Sequence, residues 1–477
     1  DTDRSRGLGD VYKRQMYAVN SIGAINFIVH PLIPAKALEE DLKKTKAKLL
    51  LVLDQRYSIY KGIKQCPIYT ISPKNELSPI EDFFYPIAYA SKLKGSKGHD
   101  LTSVPFTKEP IERNTDEYKP SFYLQSGGTT GKNKIVVLND RAVNYQGENV
   151  AWILGDQYRY CKGSGMLGFL PMFHGFGLAM GVHAPLTNYA TSDLMATYNE
   201  KEIGKLIKAR KLRYLIVVPY LAKRMLKGKT LNDPSVSNLT HAFIGADKTN
   251  PTVFTEFDSI MEKNNSKCRL LEGYGLTETV TVVVVNRIFD RKPGSVGKPF
   301  PDVKLKVIDE NGNTLSTNQN GQICISAPCL ALGYLNDKEA TDKTFVTDEN
   351  GIRWVLTGDE GYIDEDGFLF IKGRIKDMFK IAGFNIFPAD IEDMTNKIEG
   401  VENCAAVYID NPNHPYVHLF IKSDSKNIDT SELVKRVREI LSNELIKYAV
   451  PEKITVIGKL PLTNVGKIDK KKLIELD

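Results

Sequence analysis

The sequence predicts an α/β protein: a large N-terminal domain of parallel α/β sheets with a β-rich subdomain, followed by a small α+β C-terminal domain. The 477 residues imply at least two domains, because single hydrophobic cores rarely grow beyond about 250–300 residues. Strand-sized apolar runs alternate with amphipathic helical patterns from residue 16 to about residue 286, an order typical of parallel sheets covered by helices. Short strands with turn signals come next, and after residue 373 the pattern becomes a mixture of helices and strands.

The elements of the first region are assigned from hydrophobic period and length. A helix end at 16–24 runs into a strand at 25–29, and the polar, weakly patterned residues 91–119 predict a surface excursion. The apolar runs that predict buried strands lie at 48–54, 135–138, 166–170, 214–219 and 241–245. The amphipathic segments that predict helices lie at 34–44, 201–211 and 251–263.

Residues 293–372 form the predicted β-rich subdomain, with turn signals at 309–312 and 364–367. The small domain at 374–477 is predicted to contain a helix at 389–398, strands at 404–409 and 417–421, and a helix at 429–445. Asp429 and Glu432 fit a capping box at the start of that last helix. Its predicted apolar face consists of Leu433, Val434, Val437, Ile440, Leu441 and Leu445.

The first 15 residues differ in pattern from the rest of the large domain. They read DTDRSRGLGDVYKRQ, and the last six resemble the translation of a transposon mosaic-end adapter used in sequencing libraries. Such scars are excluded from fold reasoning. We therefore expect residues 1–15 to be non-native, the large domain to span residues 16–373, and its first sheet units to be missing; a natural N-terminal tail is the alternative.

Composition excludes several classes of protein. The net charge of +6 comes from 64 basic and 58 acidic residues, without the concentrated basic stripe of a nucleic-acid-binding protein. No apolar run approaches the ~18 residues that a transmembrane helix needs, so membrane contact is expected to be at most peripheral. The six cysteines are scattered without CxxC pairs, which predicts reduced, mostly buried thiols in a cytoplasmic protein.

A loop rich in glycine, hydroxyl and basic side chains lies between two predicted strands. It reads SGGTTGKNK from Ser126 to Lys134. Small residues let backbone N–H groups converge, and hydroxyl and ammonium groups add donors, which is how a loop binds phosphate. The loop departs from a Walker P-loop, because Ser126 stands where that motif has glycine and Asn133 where it has Ser or Thr. Taken alone, such a loop is more often a simple turn.

Three further motifs come after this loop in order. GYGLTET at 273–279 comes after a predicted strand, TGD at 357–359 precedes a turn and Gly373-Arg374, and PLTNVGKID at 461–469 lies near the C-terminus. With these four motifs in this order, the sequence resembles the adenylate-forming superfamily, which includes acyl-CoA synthetases, luciferases and peptide-synthetase adenylation domains. The resemblance covers nearly the whole chain from residue 16.

The resemblance implies ATP, Mg²⁺ and coenzyme A as cofactor and co-substrates. It implies that the phosphates of ATP bind to the loop residues Ser126, Gly127, Gly128, Thr129, Thr130, Gly131 and Lys134. Adenine would lie between Tyr274, with Gly275 beside it, and a wall made of Gly245, Ala246 and Asp247. Since Mg²⁺ prefers one or two carboxylates plus phosphate oxygens, a carboxylate suits the metal position.

The resemblance also assigns the reacting end of the site. Thr277 would contact phosphate, Glu278 would hold Mg²⁺, and Asp359 with Arg374 would bind the ribose. Lys467, on the small domain, would reach the substrate carboxylate and the α-phosphate, where negative charge builds up. The implied catalytic residues are Lys467, Thr130, Glu278 and His174.

The segment GRIKDMFKIAGFN at 373–385 resembles the inter-domain junction of the family. Lys376 falls on the hinge position, so the small domain would be a mobile lid that alternates between an adenylating pose and a thioester-forming pose. In the second pose, Lys380 and Gly383 would face the pantetheine channel of coenzyme A.

The segment FLPMFHGFG at 169–177 resembles the part of fatty acyl-CoA synthetases in which a histidine or aromatic residue gates the acyl site. Amino-acid-activating relatives typically place an Asp in this region, whereas His174 lies among apolar residues, which favours an uncharged acyl tail. The pair Gly127-Gly128 also resembles the long-chain enzymes. The implied activity is that of an AMP-forming acyl-CoA synthetase acting on a medium- or long-chain fatty acid.

Several alternatives stay open at this point. The acyl group could be transferred to an acyl carrier protein, the acid could be aryl or short-chain, or the chain could be a nucleotide-binding module without turnover. The intact Glu278, Asp359 and Lys467 argue against the last alternative. Neither the acyl chain length nor the oligomeric state follows from the sequence.

Overall fold

A computed structural model gives the fold of most of the chain. It describes residues 13–72, 79–96, 99–105, 112–126, 134–195, 199–210, 212–228, 230–381, 384–411, 414–423, 429–462 and 468–477. The strands are β1 (Asn26–Phe27), β2 (Leu50–Leu53), β3 (Ile68–Ile71), β4 (Pro120–Ser126), β5 (Lys134–Asn139), β6 (Gly165–Gly168), β7 (Thr191–Leu194), β8 (Leu212–Val217), β9 (His241–Ile244), β10 (Arg269–Gly275), β11 (Val282–Val285), β12 (Lys298–Pro299), β13 (Lys304–Ile308), β14 (Gly321–Ser326), β15 (Gly333–Tyr334), β16 (Phe345–Thr347), β17 (Arg353–Ile363), β18 (Leu369–Arg374), β19 (Phe379–Ile381), β20 (Phe384–Ile386), β21 (Val401–Ile409), β22 (Tyr416–Ser423) and β23 (Lys453–Val456). The helices are α1 (13–21), α2 (Ala35–Thr45), α3 (Tyr57–Tyr60), α4 (Pro79–Ala88), α5 (Asp140–Glu148), α6 (Val150–Leu154), α7 (Ala184–Thr187), α8 (Glu200–Arg210), α9 (Pro219–Lys227), α10 (Pro251–Lys263), α11 (Lys338–Thr344), α12 (Pro388–Thr395), α13 (Thr430–Glu444) and α14 (Lys470–Ile474).

A seven-stranded sheet forms the centre of the large domain, in the order β12-β11-β10-β9-β8-β6-β7. The five strands from β10 to β7 are parallel, and β11 and β12 continue the sheet antiparallel. The apolar sequences of β8 and β9 are buried along almost their whole length, as expected for parallel strands covered on both faces. The predicted α/β fold class is confirmed.

Three further sheets complete the first 374 residues. A four-stranded sheet has the order β1-β4-β5-β15, and β2 pairs with β3. The strands β13, β14, β16, β17 and β18 form an antiparallel sheet. Turns occur at the two predicted turn signals, where Gly312 and Gly367 adopt φ values of +87° and +82°. The second turn joins β17 directly to β18.

The small domain contains the sheet β21-β22-β23, with α12 and α13 packed against it, and the hairpin β19-β20. Asp429 caps α13 by accepting hydrogen bonds from the backbone N–H groups of Ser431 and Glu432, at 2.8 and 3.3 Å. This is the Asp429 half of the predicted capping box. A separate core contains Leu433, Val437 and Leu441 of this helix, all fully buried. Ile440 is 36% exposed, so the apolar face is narrower than predicted.

Most predicted elements are found within two or three residues of their expected bounds. The helix at 251–263 is confirmed at both ends, because Asn250 caps it through Thr252 and Pro251 suits the first turn. The strand predicted at 214–219 is wrong at its end: β8 stops at Val217 and Pro219 begins α9. Between residues 91 and 119, the described residues contain only a short 3₁₀ turn at Leu101–Ser103 and one isolated bridge.

A π-helix over Phe176–His183 was not predicted. It follows β6 and packs against α5 and α7. The residue before the π-helix, Gly175, must be glycine, because a Cβ there would lie 1.6 Å from the carbonyl oxygen of Val280. The segment has no helical hydrophobic period, since residues 177–183 are all buried. Such π-helices frequently occur at functional sites.

Two expectations from composition can be compared with the structure. All six cysteines are free thiols, and all except Cys66 are buried. Within the described ranges, no helix has the length and apolar character needed to cross a membrane.

Candidate active site

The predicted adenine-binding residues meet at the carboxyl edge of the central sheet. Gly245, Ala246 and Asp247 follow β9, while Tyr274 and Gly275 end the neighbouring strand β10. The two segments pack closely at this point, because a Cβ on Gly245 would lie 2.9 Å from the carbonyl oxygen of Gly273. Ala246 has a φ of +72°, an uncommon backbone conformation for alanine that often marks functional sites. In open α/β sheets, ligands bind outside this edge.

Tyr274, Asp359 and Arg374 form one connected cluster. The Tyr274 hydroxyl donates to Asp359 Oδ2 at 2.5 Å, and Arg374 Nε lies 2.8 Å from Asp359 Oδ1. Asp359 on β17 faces Arg374 on β18 in the strand register, so the ion pair follows from sheet pairing. Arg374 Nη1 also donates to the carbonyl oxygen of Thr357 at 3.1 Å.

The chemistry of this cluster follows from burial. Asp359 is only 3% exposed, so its charge needs the Arg374 guanidinium and hydrogen-bond donors. Burial first, and then the charge of Asp359, raise the pKa of Tyr274 well above its ordinary value. The phenol therefore stays protonated and donates to the carboxylate across the physiological pH range.

Glu278 lies in a 3₁₀ turn, Thr277–Thr279, directly after β10. Its Oε1 accepts a hydrogen bond from the Tyr334 hydroxyl at 2.7 Å, and its carbonyl oxygen accepts from Ala331 N at 2.8 Å. Val280 follows with a φ of +66°, so the chain is sharply bent at this point. The carboxylate is thus held by groups from another part of the large domain.

The phosphate loop is described only at its two ends. Ser126 ends β4, and Lys134 begins β5, with the Ser126 hydroxyl 3.5 Å from the Lys134 carbonyl oxygen. Lys134 Nζ lies 4.4 Å from the centroid of the Tyr334 ring. The predicted residues Gly127, Gly128, Thr129, Thr130 and Gly131 lie outside the described residues.

His174 lies between β6 and the π-helix. Its carbonyl oxygen accepts a hydrogen bond from Leu178 N at 2.9 Å, so His174 contributes to the first turn of the π-helix. Its ring contacts Phe173 with centroids 4.6 Å apart. The side chain is exposed beside Met172, Phe173 and Phe176, which are apolar but only partly buried, so this part of the turn is open to solvent. The gating role of His174 stays a prediction.

The predicted lid residues are described in part. Lys376 is exposed in a 3₁₀ turn, Ile375–Asp377, that joins β18 to β19. Lys380 lies on β19, whose backbone pairs with β20, but its side chain is not among the described groups. Gly383 and Lys467 lie outside the described residues. The hinge and the domain boundaries stay predictions.

Ion pairs join the small domain to the large domain. Lys227 Nζ of α9 lies 2.6 Å from Glu402 Oε1, and Lys248 Nζ lies 2.5 Å from Asp393 Oδ2. Glu272 of β10 lies close to the second pair, and burial raises its pKa to about 7. Charged groups therefore cluster where the small domain meets the carboxyl edge of the sheet.

The donor groups at this edge fit a magnesium ion that arrives with a nucleotide. Among the described residues, no group of three or more His, Cys, Asp or Glu side chains could hold a metal by itself. Glu278 supplies one carboxylate, whose Oε1 accepts the Tyr334 hydrogen bond, and this carboxylate is the group that would hold the metal. One carboxylate plus phosphate oxygens and water is the usual magnesium shell.

Sequence reasoning missed Tyr334. No motif singled it out, because it lies 56 residues from Glu278 along the chain. The one available signal is Gly333-Tyr334 after the apolar run that ends at Leu332, which resembles a short edge strand. Only pairing of β15 with β5 brings this residue to the site.

Comparison with known proteins identifies the family. A model of the AMP-binding enzyme family matches residues 15–335, and a model of the AMP-binding enzyme C-terminal domain matches residues 390–467. The chain is 30% identical to a long-chain-fatty-acid–CoA ligase of Salmonella typhimurium, over 97% of this chain and 82% of that protein. It is 26% identical to 4-coumarate–CoA ligase 2 of Nicotiana tabacum, over 95% of this chain and 80% of that protein. Across such curated relatives, the match spans 61–82% of the relative's own length.

A solved structure shares the fold. ATP-bound MatB from Rhodopseudomonas palustris superposes with a TM-score of 0.80, covering 100% of this chain and 92% of that one, at 20% identity. This likeness extends through both the central sheet and the small domain.

Proposed function

Because the chain belongs to the AMP-binding enzyme family, within the adenylate-forming CoA ligase superfamily, we propose that it is an AMP-forming acyl-CoA synthetase for a medium- or long-chain fatty acid. The carboxylate attacks the α-phosphorus of ATP, which forms acyl-AMP and releases pyrophosphate. The thiol sulfur of coenzyme A then attacks the acyl carbon and displaces AMP, while the thiol proton is lost to solvent. The observation that carries the proposal is the Tyr274–Asp359–Arg374 cluster beside Thr277 and Glu278.

In the first step the protein positions ATP and stabilises charge. Asp359 binds the ribose hydroxyls, since a buried carboxylate held by an arginine accepts hydrogen bonds without losing its charge. Tyr274, at the end of β10, packs against one face of adenine, and the segment Gly245–Asp247 forms the opposite wall. Lys134 and the phosphate loop bind the pyrophosphate end. Glu278 would hold Mg²⁺, which would supply positive charge against the phosphates. Lys467 reaches the carboxylate and the α-phosphate.

The proposed acyl class is supported by the surroundings of the π-helix. An apolar cavity of about 30 Å³ lies behind it, lined by Met166, Met180 and Phe243 among other apolar side chains. This volume is far below that of an alkyl chain, so the two methionines must move for a tail to enter, and methionine side chains adapt readily. The named activity of the Salmonella relative supports the same class.

In the second step the small domain turns about Lys376, so that Lys380 and Gly383 line the path of the pantetheine thiol. The ion pairs between the domains are exposed enough to break, because Lys227 and Lys248 have 61% and 41% of their side-chain surface exposed. A single site can then serve two half-reactions.

A pyrophosphate-release assay tests the proposal. The protein is offered ATP, Mg²⁺ and straight-chain carboxylates from acetate to palmitate, with benzoate and 4-coumarate as aryl acids. We expect release that increases with chain length, and acyl-CoA only when coenzyme A is added. Preference for an aryl or short acid would overturn the acyl class, acyl transfer only to an acyl carrier protein would overturn the acceptor, and no release with any acid would overturn the activity.

The lysine variants test the proposed first step. Lys467→Ala is expected to abolish pyrophosphate release, because it removes the cation at the reacting carboxylate. Lys471→Ala, an exposed lysine four residues further on, is the matched control and should keep the wild-type rate. Full release by Lys467→Ala would show that the role of this lysine is wrongly assigned.

A further inference from the structure

One tyrosine touches both charged groups that flank the phosphate end of the site. Tyr334 donates its hydroxyl hydrogen bond to Glu278 Oε1 at 2.7 Å, and its ring lies 4.4 Å from Lys134 Nζ. Tyr334 is 9% exposed, and its partners Glu278 and Lys134 are half-buried, so both contacts are partly shielded from water. Hydrogen bonds to ionised groups and cation–π contacts both strengthen in such surroundings.

The backbone around Tyr334 is fixed on both sides. Leu332 N donates to Val137 O and Leu335 N donates to Ile135 O, both at 2.8 Å, which pairs β15 with β5 directly after the phosphate loop. Tyr334 N donates to the Thr341 hydroxyl at 2.9 Å. Three residues earlier, Ala331 N donates to the carbonyl oxygen of Glu278. The tyrosine is therefore connected to the loop strand and to the Glu278 turn through backbone as well as side chain.

The Tyr334 hydroxyl donates to Glu278 Oε1 at 2.7 Å. This hydrogen bond restrains rotation of the Glu278 carboxylate. Glu278 thereby presents its second oxygen in one direction.

We propose that Tyr334 is a positioning residue for magnesium–nucleotide binding: its hydroxyl orients the Glu278 carboxylate toward the metal, and its ring holds the Lys134 ammonium toward the phosphates. This inference rests on the proposed function. Glu278 comes from the 3₁₀ turn after β10 and Lys134 from the start of β5, and Tyr334 sets the separation between them. No covalent step is assigned to the tyrosine.

Tyr334→Phe separates the two contacts, because it removes the hydroxyl and keeps the ring under Lys134. Binding of a non-hydrolysable ATP analogue is measured by calorimetry, once with Mg²⁺ and once with EDTA. We expect the affinity with Mg²⁺ to fall about tenfold, since a hydrogen bond to a charged group is lost, and the affinity with EDTA to stay within about twofold. Tyr334→Leu removes the ring as well and should weaken binding in both conditions.

Tyr145→Phe is the matched control. Tyr145 is 3% exposed and its hydroxyl donates to the carbonyl oxygen of Pro301, away from the site, so both affinities should equal those of the wild type. A cycle with Glu278→Gln gives a second readout: adding Tyr334→Phe to that variant should cause no further loss with Mg²⁺.

The outcomes separate this inference from the proposed function. Equal weakening of Tyr334→Phe with Mg²⁺ and with EDTA, or no weakening at all, would overturn the positioning role while wild-type binding is intact. A wild-type protein that binds no ATP analogue in either condition would instead overturn the proposed function.

Discussion

Glu272 provides a pH-dependent test of the packing at the domain junction. This half-buried carboxylic acid on β10 lies near Thr249 and the Lys248–Asp393 ion pair. Burial has the largest effect on Glu272 and raises its pKa from the ordinary 4.5 to about 7. Thr249 and Lys248 lower this pKa, and the negative charge of Asp393 raises it further. The perturbation is Glu272→Gln, which keeps the shape and removes the titration.

The magnitude follows from proton linkage. Between pH 4.5 and 7 the folded protein keeps a proton on Glu272 that the unfolded chain releases, so this residue makes the protein less stable as pH rises. The two pKa values differ by about 2.5, and each pKa unit corresponds to about 1.4 kcal/mol, which gives a ceiling of about 3 kcal/mol. Because water reaches part of the side chain, we expect about 1–2 kcal/mol. The glutamine variant should gain this amount over the wild type at pH 8 and almost nothing at pH 4.5.

The assay is the midpoint of thermal unfolding at pH 4.5 to 8 for both proteins. For a domain of about 350 residues, 1 kcal/mol corresponds to about 1.4 °C, so the variant should melt about 1–3 °C above the wild type at pH 8. Glu262→Gln is the control, because that carboxylate is 64% exposed beside Arg269 and an exposed ion pair contributes little to stability, so the midpoint should change by no more than about 1 °C. Identical pH profiles for the wild type and Glu272→Gln would refute the reasoning.

Three further predictions concern the site, the entry to the π-helix and the lid. Asp359→Asn should weaken AMP binding at least tenfold in a fluorescence titration, because it removes a buried charge from the proposed ribose site; unchanged affinity would contradict the assignment. Gly175→Ala should lower the unfolding midpoint by several degrees, since its Cβ would meet the Val280 carbonyl oxygen at 1.6 Å, whereas Gly458→Ala, with nothing within 4 Å, should leave it unchanged. Leu441→Ala should destabilise the small domain by about 2–5 kcal/mol, and limited proteolysis should cut that domain first; equal cutting of both domains would count against a separate core.

How far the sequence could be interpreted depended on local signals. Helix α10 was predicted at both ends because Asn250, Pro251 and a 3.6-residue apolar period act within one stretch of chain. The end of β8 was missed because Val218 is extended and apolar, so only the turn at Pro219 separates strand from helix. The π-helix was missed because Phe176–His183 is apolar on all sides, and periodicity then carries no information.

The candidate site also combines features that were predictable from the sequence with features that were not. The order of the four motifs was enough to identify the superfamily, and Tyr274, Asp359 and Arg374 do lie together. The exposure of His174 and the role of Tyr334 were not predictable, because both depend on which elements pack beside a short loop. For the loop residues from Gly127 to Gly131 and for Lys467, the sequence is still the only basis of the assignment.

By itself, the sequence determined the α/β class, most helices and strands, and the residue types available for nucleotide chemistry, because propensity, period and motif spacing act over short stretches of chain. Tertiary structure alone decided that Tyr274 meets Asp359 from 85 residues away, and that Tyr334 joins Glu278 to Lys134. The register of β17 with β18 places Asp359 opposite Arg374, and the pairing of β15 with β5 places Tyr334 on the strand beside that of Lys134. Such pairings are selected by burial of whole sheet faces, a property of the folded chain that no local pattern contains.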